Sequence, residues 1–502
     1  MANEKLSEAG QFDLKKLVLT TSEGIEVDLS ISVNEIIFFE SIDSNSISGY
    51  INIFDTVGLN NAGPLIGMEY LQIVIATPSM KEKKLQINFD ENVLHVIRVV
   101  QRVADGNNTV TTLEFVSSEL IHSRRTKVNR SLKGSYAELY TTIMQSDLNC
   151  KKDLYVESTS GIKQIIAPNL TPFNLFKTFT LKAVGSEHGT PTFHQYENMK
   201  GHNFRSIESM YAEGSKATYT ESDAGAPVGD KPGLSSGPDM DKKLTKDLET
   251  ILEFEIKSSR NFLELAPMGA LASTLIQHDI IYKNLTITGY NYFANFEPEL
   301  KKIDNKRKSI NFFSGDKDQP LYNNAVVDLQ DRRITDFNYT VFVAPTSTIK
   351  NKDNVKMDSQ FDVHDGEERR YSFEPRRSES WLQTRRGLLI NLNSSGTIVM
   401  TVHGNTSIVA GDVITVNLKE SGSNKSTEDG FDKFYKGNFL IRTLKHTFKF
   451  GENKHTMLLE CNKDSVTEPF DSDQGFVEPK PTKTGKVFSN KDFYGGSQDY
   501  DE

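Results

Sequence analysis

The 502-residue sequence has few of the residues that mark secreted or membrane-spanning proteins. It has two cysteines, Cys150 and Cys461, far apart and outside any Cys-x-x-Cys pattern. This spacing supports neither a disulfide framework nor a cysteine zinc site. The sequence also lacks an apolar run of about 18 residues and an N-terminal cationic segment followed by an apolar one. We expect no signal peptide, no membrane-spanning segment and synthesis in a reducing cytoplasm.

Excess basic charge and the short motifs of common enzymes are also missing. The chain has 68 acidic and 58 basic residues and a net charge of −10, so no strong positive field holds nucleic acid through its phosphates. It has no P-loop or G-x-G-x-x-G pattern, which would mark a phosphate-binding loop. Its one G-x-S-x-G match, Gly233–Gly237, lies in the Gly-, Pro- and Ser-rich segment 216–247 and not at the strand-to-helix turn that a hydrolase nucleophile needs. Cys461 lies at a strand end and is interpreted as structural. We therefore predict that the protein is not an enzyme, and we assign no cofactor and no catalytic or metal-binding residue.

Three groups of polar residues are candidate sites, and each has a simpler structural interpretation. His194 and His202 flank a predicted hairpin, where a cross-strand pair can bind a metal, but they lack a clear third ligand. The run His364–Glu368 is interpreted as a solvated charged face. The doublets Arg369–Arg370 and Arg376–Arg377 have acidic neighbours, which favours ion pairs at a protein interface over nucleic-acid contact.

The sequence does contain strand patterns on both sides of a helical segment. Its length predicts two to four domains. Residues 12–120 contain eight short apolar runs separated by turn signals, which indicates a barrel or a sandwich. Within one run, Ile47, Ile51 and Ile53 recur at period two and are expected on the buried face.

Residues 121–215 have helical patterns around a hairpin. Ser135 and Glu138 form a capping box that starts a helix over 136–147. Thr171 and Pro172 are the predicted cap and first position of a second helix. A hairpin with an Asn-Met-Lys-Gly turn and a short helix follow, so this segment is predicted to be a small α+β domain.

The remaining chain alternates between low-complexity and strand-rich segments. The predicted fold class is α+β, mainly β, with two β-barrel domains, a small helix-hairpin-helix α+β domain and an inserted peripheral domain. The expected limits are a first barrel at 12–120, the α+β domain at 121–215, a linker or mobile loop at 216–247, a second barrel at 248–296 and 385–465, an inserted domain at 297–384 and a flexible tail at 466–502.

This order of segments resembles the baseplate hub subunit of contractile-tailed bacteriophages, a tail-tube-like β-barrel family. The resemblance is carried by SISGYINIFDTVGLNNAGPLIGMEYLQIVIATPS, RSLKGSYAELYTTIMQ, APNLTPFNLFKTFT with FHQYENMKGHNFRSIESM, and NTSIVAGDVITVNL with YKGNFLIRTLKHTFKFGENKHTMLLECN. It covers about residues 12–465. The 216–247 loop, the 297–384 insertion and the tail depart from shorter members of that family.

The resemblance implies a homotrimer whose two barrels per subunit make a pseudo-sixfold ring between the hexameric tail tube and the trimeric central spike. It implies no catalytic residues. Its expected partners are the tail tube protein, the spike and other baseplate (wedge) proteins in the virion, and DNA passes through without specific binding. We further expect acidic barrel side chains to line this conduit and the tail aromatics to order on a partner: Phe476, Phe488, Phe493, Tyr494 and Tyr500.

Two other functions stay open from the sequence. One is the corresponding hub and spike component of a type VI secretion system or a related injection machine. Adjacent capsid genes would separate the phage tail from that machine. The other is a tail protein that binds or cleaves glycans, which would be expected to expose tryptophan platforms. The chain has a single tryptophan, Trp381, which argues against it.

Overall fold

The fold is mainly β, and the predicted class of two barrel-like domains with an α+β domain and an inserted domain is confirmed. The computed structural model describes residues 8–55, 65–78, 86–105, 108–187, 189–221, 247–257, 262–265, 267–279, 284–292, 313–314, 319–320, 340–346, 380–394, 397–420, 430–432 and 435–465. The chain forms two compact units, the first mainly from 1–258 and 396–463. Of the helices described, none is long and apolar enough to cross a membrane.

The first β domain is a curled sheet around one core. Its strands are β1 (Asp13–Thr20), β2 (Glu26–Asp28), β3 (Val33–Ser41), β4 (Ser48–Asp55), β5 (Tyr70–Ala76), β6 (Ile87–Asp105) and β7 (Asn108–Ser117). They pair in the order β2-β1-β5-β6-β7-β4-β3. The predicted inner face is confirmed, because Ile47, Ile51 and Ile53 are fully buried. Each buried aliphatic side chain of this kind contributes about 1.5 to 3 kcal/mol.

The first domain has seven strands in its described residues, and the prediction of eight is wrong. Two of the eight apolar runs, at 85–89 and 93–103, are predicted as separate strands, but their described residues belong to one strand, β6. Its pairing with β5 shifts abruptly, since Leu71 faces Leu94 whereas Ile73 faces Phe89. The polar residues between them form a bulge instead of a turn, and Asp90 there pairs with Lys16 at 2.6 Å.

The α+β domain follows β7 directly. Its elements are α1 (Ser118–Arg125), β8 (Ser131–Gly134), α2 (Tyr136–Ser146), β9 (Leu154–Val156), β10 (Lys163–Ile166), α3 (Pro172–Lys182), β11 (Phe193–Asn198), β12 (Gly201–Ser206) and α4 (Ile207–Ala212). The capping box is confirmed, as Ser135 Oγ accepts from Glu138 N and Glu138 Oε2 accepts from Ser135 N. Thr171 precedes α3 without a side-chain capping bond in the structure described, which corrects its predicted role.

The later strands form a second barrel and separate small sheets. They are β13 (Ser215–Glu221), β14 (Thr250–Lys257), β15 (Ala272–Asp279), β16 (Asn284–Asn291), β17 (Phe313–Ser314), β18 (Gln319–Pro320), β19 (Thr340–Thr346), β20 (Thr397–His403), β21 (Val413–Asn417), β22 (Gly437–Lys449) and β23 (Lys454–Asn462). The ring β22-β21-β13-β14-β20-β23 closes because β23 pairs back with β22. Cys461 lies fully buried in its core, as the structural interpretation of this residue predicts, and burial raises the pKa of its thiol.

The second unit has a sheet of its own, in the order β16-β15-β19. Its described residues include two helices, α5 (Phe262–Leu265) and α6 (Ser380–Ser394). Asn391 of α6 donates to Ala270 O at 2.7 Å and so ties the helix to the start of β15. The strands expected to extend the second barrel over 248–296 therefore divide, with β14 in the barrel and β15 and β16 in this sheet. The domain limits themselves stay a prediction.

Candidate functional site

One strand, β22, is shared by both barrels. Its N-terminal residues from Gly437 to Leu440 pair with β21 and help close the second barrel. From Thr443 to Lys449 it pairs with β3 of the first domain. Its other edge pairs with β23. The two barrels therefore belong to one thirteen-stranded sheet. Rotation of one barrel against the other would break the main-chain hydrogen bonds between β3 and β22.

Polar side chains lie buried where the barrels join. We call Glu40, His446, His455 and Phe448 the barrel junction. Nε2 of His446 lies 3.3 Å from Oε1 of Glu40, and its Nδ1 lies 3.0 Å from Nε2 of His455. The His455 ring stacks on Phe448 with ring centroids 4.0 Å apart. A Cβ at Gly404 would approach the His455 ring to 2.0 Å, so only glycine fits against it.

The barrel junction holds His455 in its neutral form. Burial lowers the pKa of His455 well below its usual value, and the neighbouring His446 lowers it further. A buried neutral imidazole needs polar partners, and the ring of His446 supplies one. The side chains of the barrel junction therefore stabilise the contact between strands by packing and hydrogen bonding.

The α+β domain is attached at the same place. Oε2 of Glu40 accepts a hydrogen bond from Ala410 N at 3.1 Å, and Nδ2 of Asn198 donates to Ala410 O at 3.0 Å. Lys200 pairs with Asp412 at 3.1 Å. The predicted Asn-Met-Lys-Gly turn therefore docks on the second barrel, and one peptide segment connects three domains.

A second group of polar residues is buried between the first barrel and the α+β domain. We call Glu119, Cys150, Lys152, Glu197 and His202 the charge cluster. The ammonium of Lys152 lies 2.7 Å from Glu119 Oε2 and 2.6 Å from Glu197 Oε1. The other oxygen of Glu197 accepts from the backbone of Ile47 and from Ser117 Oγ. Glu197 therefore binds both domains.

His202 lies across the β11–β12 ladder from Glu197. Its Nε2 is 3.7 Å from Glu119 Oε2 and 3.8 Å from Glu197 Oε1, and Cys150 Sγ is 3.7 Å from Glu119 Oε1. Glu119, Cys150 and His202 place one ligand atom each within 4.8 Å of one another. This combination of donors matches those that bind zinc in proteins.

Opposite charges in this cluster stabilise one another and offset the cost of burying them. Burial alone would raise the pKa of Glu119, but His202 and Lys152 lower it well below its usual range. Burial alone would lower the pKa of Lys152, but Glu197 and Glu119 raise it. Burial also opposes the charge of His202, yet Glu197, Cys150 and Glu119 raise its pKa. The three groups are therefore held in their charged forms.

His194 and His202, which the sequence offers as a cross-strand metal pair with a simpler structural interpretation, are not paired with each other. His194 faces Arg205 across the ladder, whereas His202 faces Glu197. The additional candidate ligands that the sequence did not reveal for His202 are Glu119 of α1 and Cys150 of the loop after α2. No spacing in the sequence signals them, because Glu119, Cys150 and His202 come from three distant segments.

The other predicted positions lie outside the described residues. They are the candidate docking aromatics Phe476, Phe488, Phe493, Tyr494 and Tyr500, the run His364–Glu368 and the doublets Arg369–Arg370 and Arg376–Arg377. Of Trp381, the structure describes the backbone in α6. Their predicted roles stay predictions.

No protein-family model and no curated protein matches the chain. Among solved structures, it is similar to a tail protein from Neisseria meningitidis, with 9% identity, a TM-score of 0.47 and coverage of 92% of this chain and 100% of that one. A prophage tail protein from Shewanella oneidensis has 8% identity, a TM-score of 0.46 and coverage of 90% and 99%. The c3393 protein of E. coli, a type VI secretion component, has 7% identity, a TM-score of 0.38 and coverage of 92% and 78%.

Proposed function

We propose that the chain is a non-enzymatic structural adaptor, the hub subunit of a phage-type tail baseplate that joins the tail tube to the central spike. The observation that carries the proposal is the sharing of β22 by two barrels in one sheet. A subunit built this way presents its barrels as one fixed pair. Three copies then supply six barrels, the number needed to match a hexameric tube, while keeping the threefold symmetry of a spike.

The fixed geometry has three independent supports. The β22 ladder joins the barrels, the barrel junction fills the space beside it, and the turn after β11 docks on the second barrel through Asn198 and Lys200. A tube adaptor catalyses no reaction and has to keep its domains in fixed positions under force. Buried contacts between domains suit this role better than a mobile hinge. The net charge of −10 also suits a conduit that must not retain DNA phosphates.

The first barrel offers an edge for a neighbouring copy. Beyond Val96, β6 pairs with β7 on one side, and among the described residues nothing pairs with its other side. Ile97, Val100 and Val103 on this stretch are about two-fifths exposed. An exposed apolar strand edge is a surface that a partner chain covers.

Assembly of paired variants tests the proposal. We expect Val100→Lys to abolish trimers in light scattering with the spike present, because a lysine on a strand edge opposes pairing with another chain. The matched variant is Ile31→Lys, at a fully exposed turn position, which should leave assembly unchanged. Equal assembly of the two variants would contradict the use of this edge.

The C-terminal aromatics form a separate part of the proposal. We expect Phe476, Phe488, Phe493, Tyr494 and Tyr500 to dock on another baseplate component. Deletion of 471–502 should then weaken binding of that component while the hub trimer still forms. Unchanged baseplate assembly after the deletion would remove this role.

A further inference from the structure

We propose that Glu119, Cys150 and His202 bind one zinc ion that fastens the α+β domain to the first barrel. The three residues come from α1, the loop after α2 and β12, and each offers a ligand atom within 4.8 Å of the other two. Zinc in proteins takes this mixture of thiolate, imidazole and carboxylate. The site is independent of the proposed adaptor role.

The distances suit a small ion. Ligand atoms about 2.0 to 2.3 Å from zinc stand roughly 3.3 to 3.8 Å apart in a tetrahedron. The structure gives 3.7 Å from Cys150 Sγ to Glu119 Oε1, and 3.7 Å from His202 Nε2 to the other oxygen of the same carboxylate, Oε2. All three ligand atoms lie within 4.8 Å of one another, so no pair needs to contract by more than about 1 Å. The fourth position can be filled by water or by Glu197, whose Oε1 lies 3.8 Å from His202 Nε2.

A second observation points independently to a ligand. The side chain of His202 is fully buried, and within the described part of the chain neither of its ring nitrogens has a partner at hydrogen-bond distance. The carboxylate oxygens facing Nε2 lie at 3.7 and 3.8 Å, which is ion-pair contact but too long for a hydrogen bond. A buried polar atom without a partner costs about 1 to 3 kcal/mol. A metal ion bound to Nε2 would remove this cost at one of the two nitrogens.

The nearby charges also accommodate a divalent cation. Glu119 and Glu197 are carboxylates, Lys152 is an ammonium, and Cys150 binds zinc as a thiolate. Zinc binding displaces the proton that His202 carries in the metal-free cluster and the proton of the Cys150 thiol, and this leaves two negative charges that the divalent ion balances. Lys152 contacts Oε2 of Glu119 and leaves Oε1 facing Cys150, so the ammonium and the ion can use different oxygens.

Metal binding to the untagged full chain tests the site. After chelation and addition of Zn²⁺, we expect one ion per chain to remain through gel filtration, and Co²⁺ to give a thiolate charge-transfer absorption band. Cys150→Ser should abolish that band and Cys461→Ala should keep it. His202→Gln should lower zinc affinity by more than about 100-fold, the upper end for loss of a supporting residue, while His194→Gln should not.

Labelling of the unmodified chain covers the case in which a variant fails to fold. Bound zinc should slow alkylation of Cys150, mapped by peptide mass spectrometry, and a chelator should restore it. Trace zinc only, a cobalt band that survives Cys150→Ser, or alkylation that is the same with and without zinc would each overturn the proposal. The last two outcomes would mean that the ion pairs and bound protons of the charge cluster stabilise it without a metal.

Discussion

The barrel junction and the charge cluster are both buried and both combine carboxylates with imidazoles, yet they hold histidine in opposite states. Burial and then His446 lower the pKa of His455. Burial acts in the same direction on His202, but Glu197 and its neighbours outweigh it and raise the pKa. The comparison shows that facing carboxylates, and not depth alone, decide whether a buried histidine is charged.

This difference implies two kinds of attachment between domains. The barrel junction joins the two barrels through main-chain hydrogen bonds and packed rings. It contains few buried charges that need an oppositely charged partner. The charge cluster holds the α+β domain through an ammonium between two carboxylates. Removing one partner of a buried ion pair leaves an uncompensated charge, so the charge cluster should be the more sensitive of the two.

The largest effect is expected from Glu197→Gln. The amide removes a charge that faces Lys152 at 2.6 Å in a fully buried place. We expect the free energy of unfolding to fall by about 3 to 5 kcal/mol, measured by urea denaturation. The control is Asp90→Asn in a half-exposed pair with Lys16, which should cost less than about 1 kcal/mol. Equal losses would remove the contrast between buried and exposed pairs.

A smaller loss is expected from Glu40→Ala in the barrel junction. The substitution leaves the backbone N–H of Ala410 buried without its 3.1 Å acceptor, which costs about 1 to 3 kcal/mol. Glu35→Ala on the same strand, where the carboxylate accepts from Asn52 at 3.1 Å in a partly exposed place, is the control and should cost less. A loss for Glu40→Ala that matches Glu197→Gln would show that both regions depend on charge.

The smallest effect should appear only in acid. The folded pKa of His455 lies below its unfolded value of about 6.5, so the unfolded chain takes up the proton first. The associated stability is complete above that value and falls as the pH drops below it, by up to about 1.4 kcal/mol per pH unit. His455→Phe, which keeps a ring on Phe448, should flatten this fall in urea titrations between about pH 5 and 7. An unchanged slope would contradict the neutral state of His455.

Local signals predicted the local structure well. The capping box at Ser135 fixes the start of α2, because its hydrogen bonds join residues three apart. Period-two burial in β4 followed directly from Ile47, Ile51 and Ile53. The sequence predicts separate strands for the two apolar runs on either side of Asp90, but a bulge at the polar residues between them keeps both runs in one long strand.

Long-range pairing could not be predicted in the same way. The ladder between β3 and β22 joins residues such as Phe38 and His446, about four hundred positions apart, and strand patterns do not name their partners. The charge cluster likewise assembles from α1, one loop and two strands. Hydrophobic periodicity shows which face is buried but gives no information about which buried polar groups meet.

The central claim is that this chain is a trimeric adaptor with paired barrels. Light scattering of the purified chain with and without its spike partner tests it most directly. We predict weak self-association of the chain alone and a firm three-chain complex when the spike is present, because neighbours and spike cover the open edges. A single-chain mass under both conditions would contradict the claim.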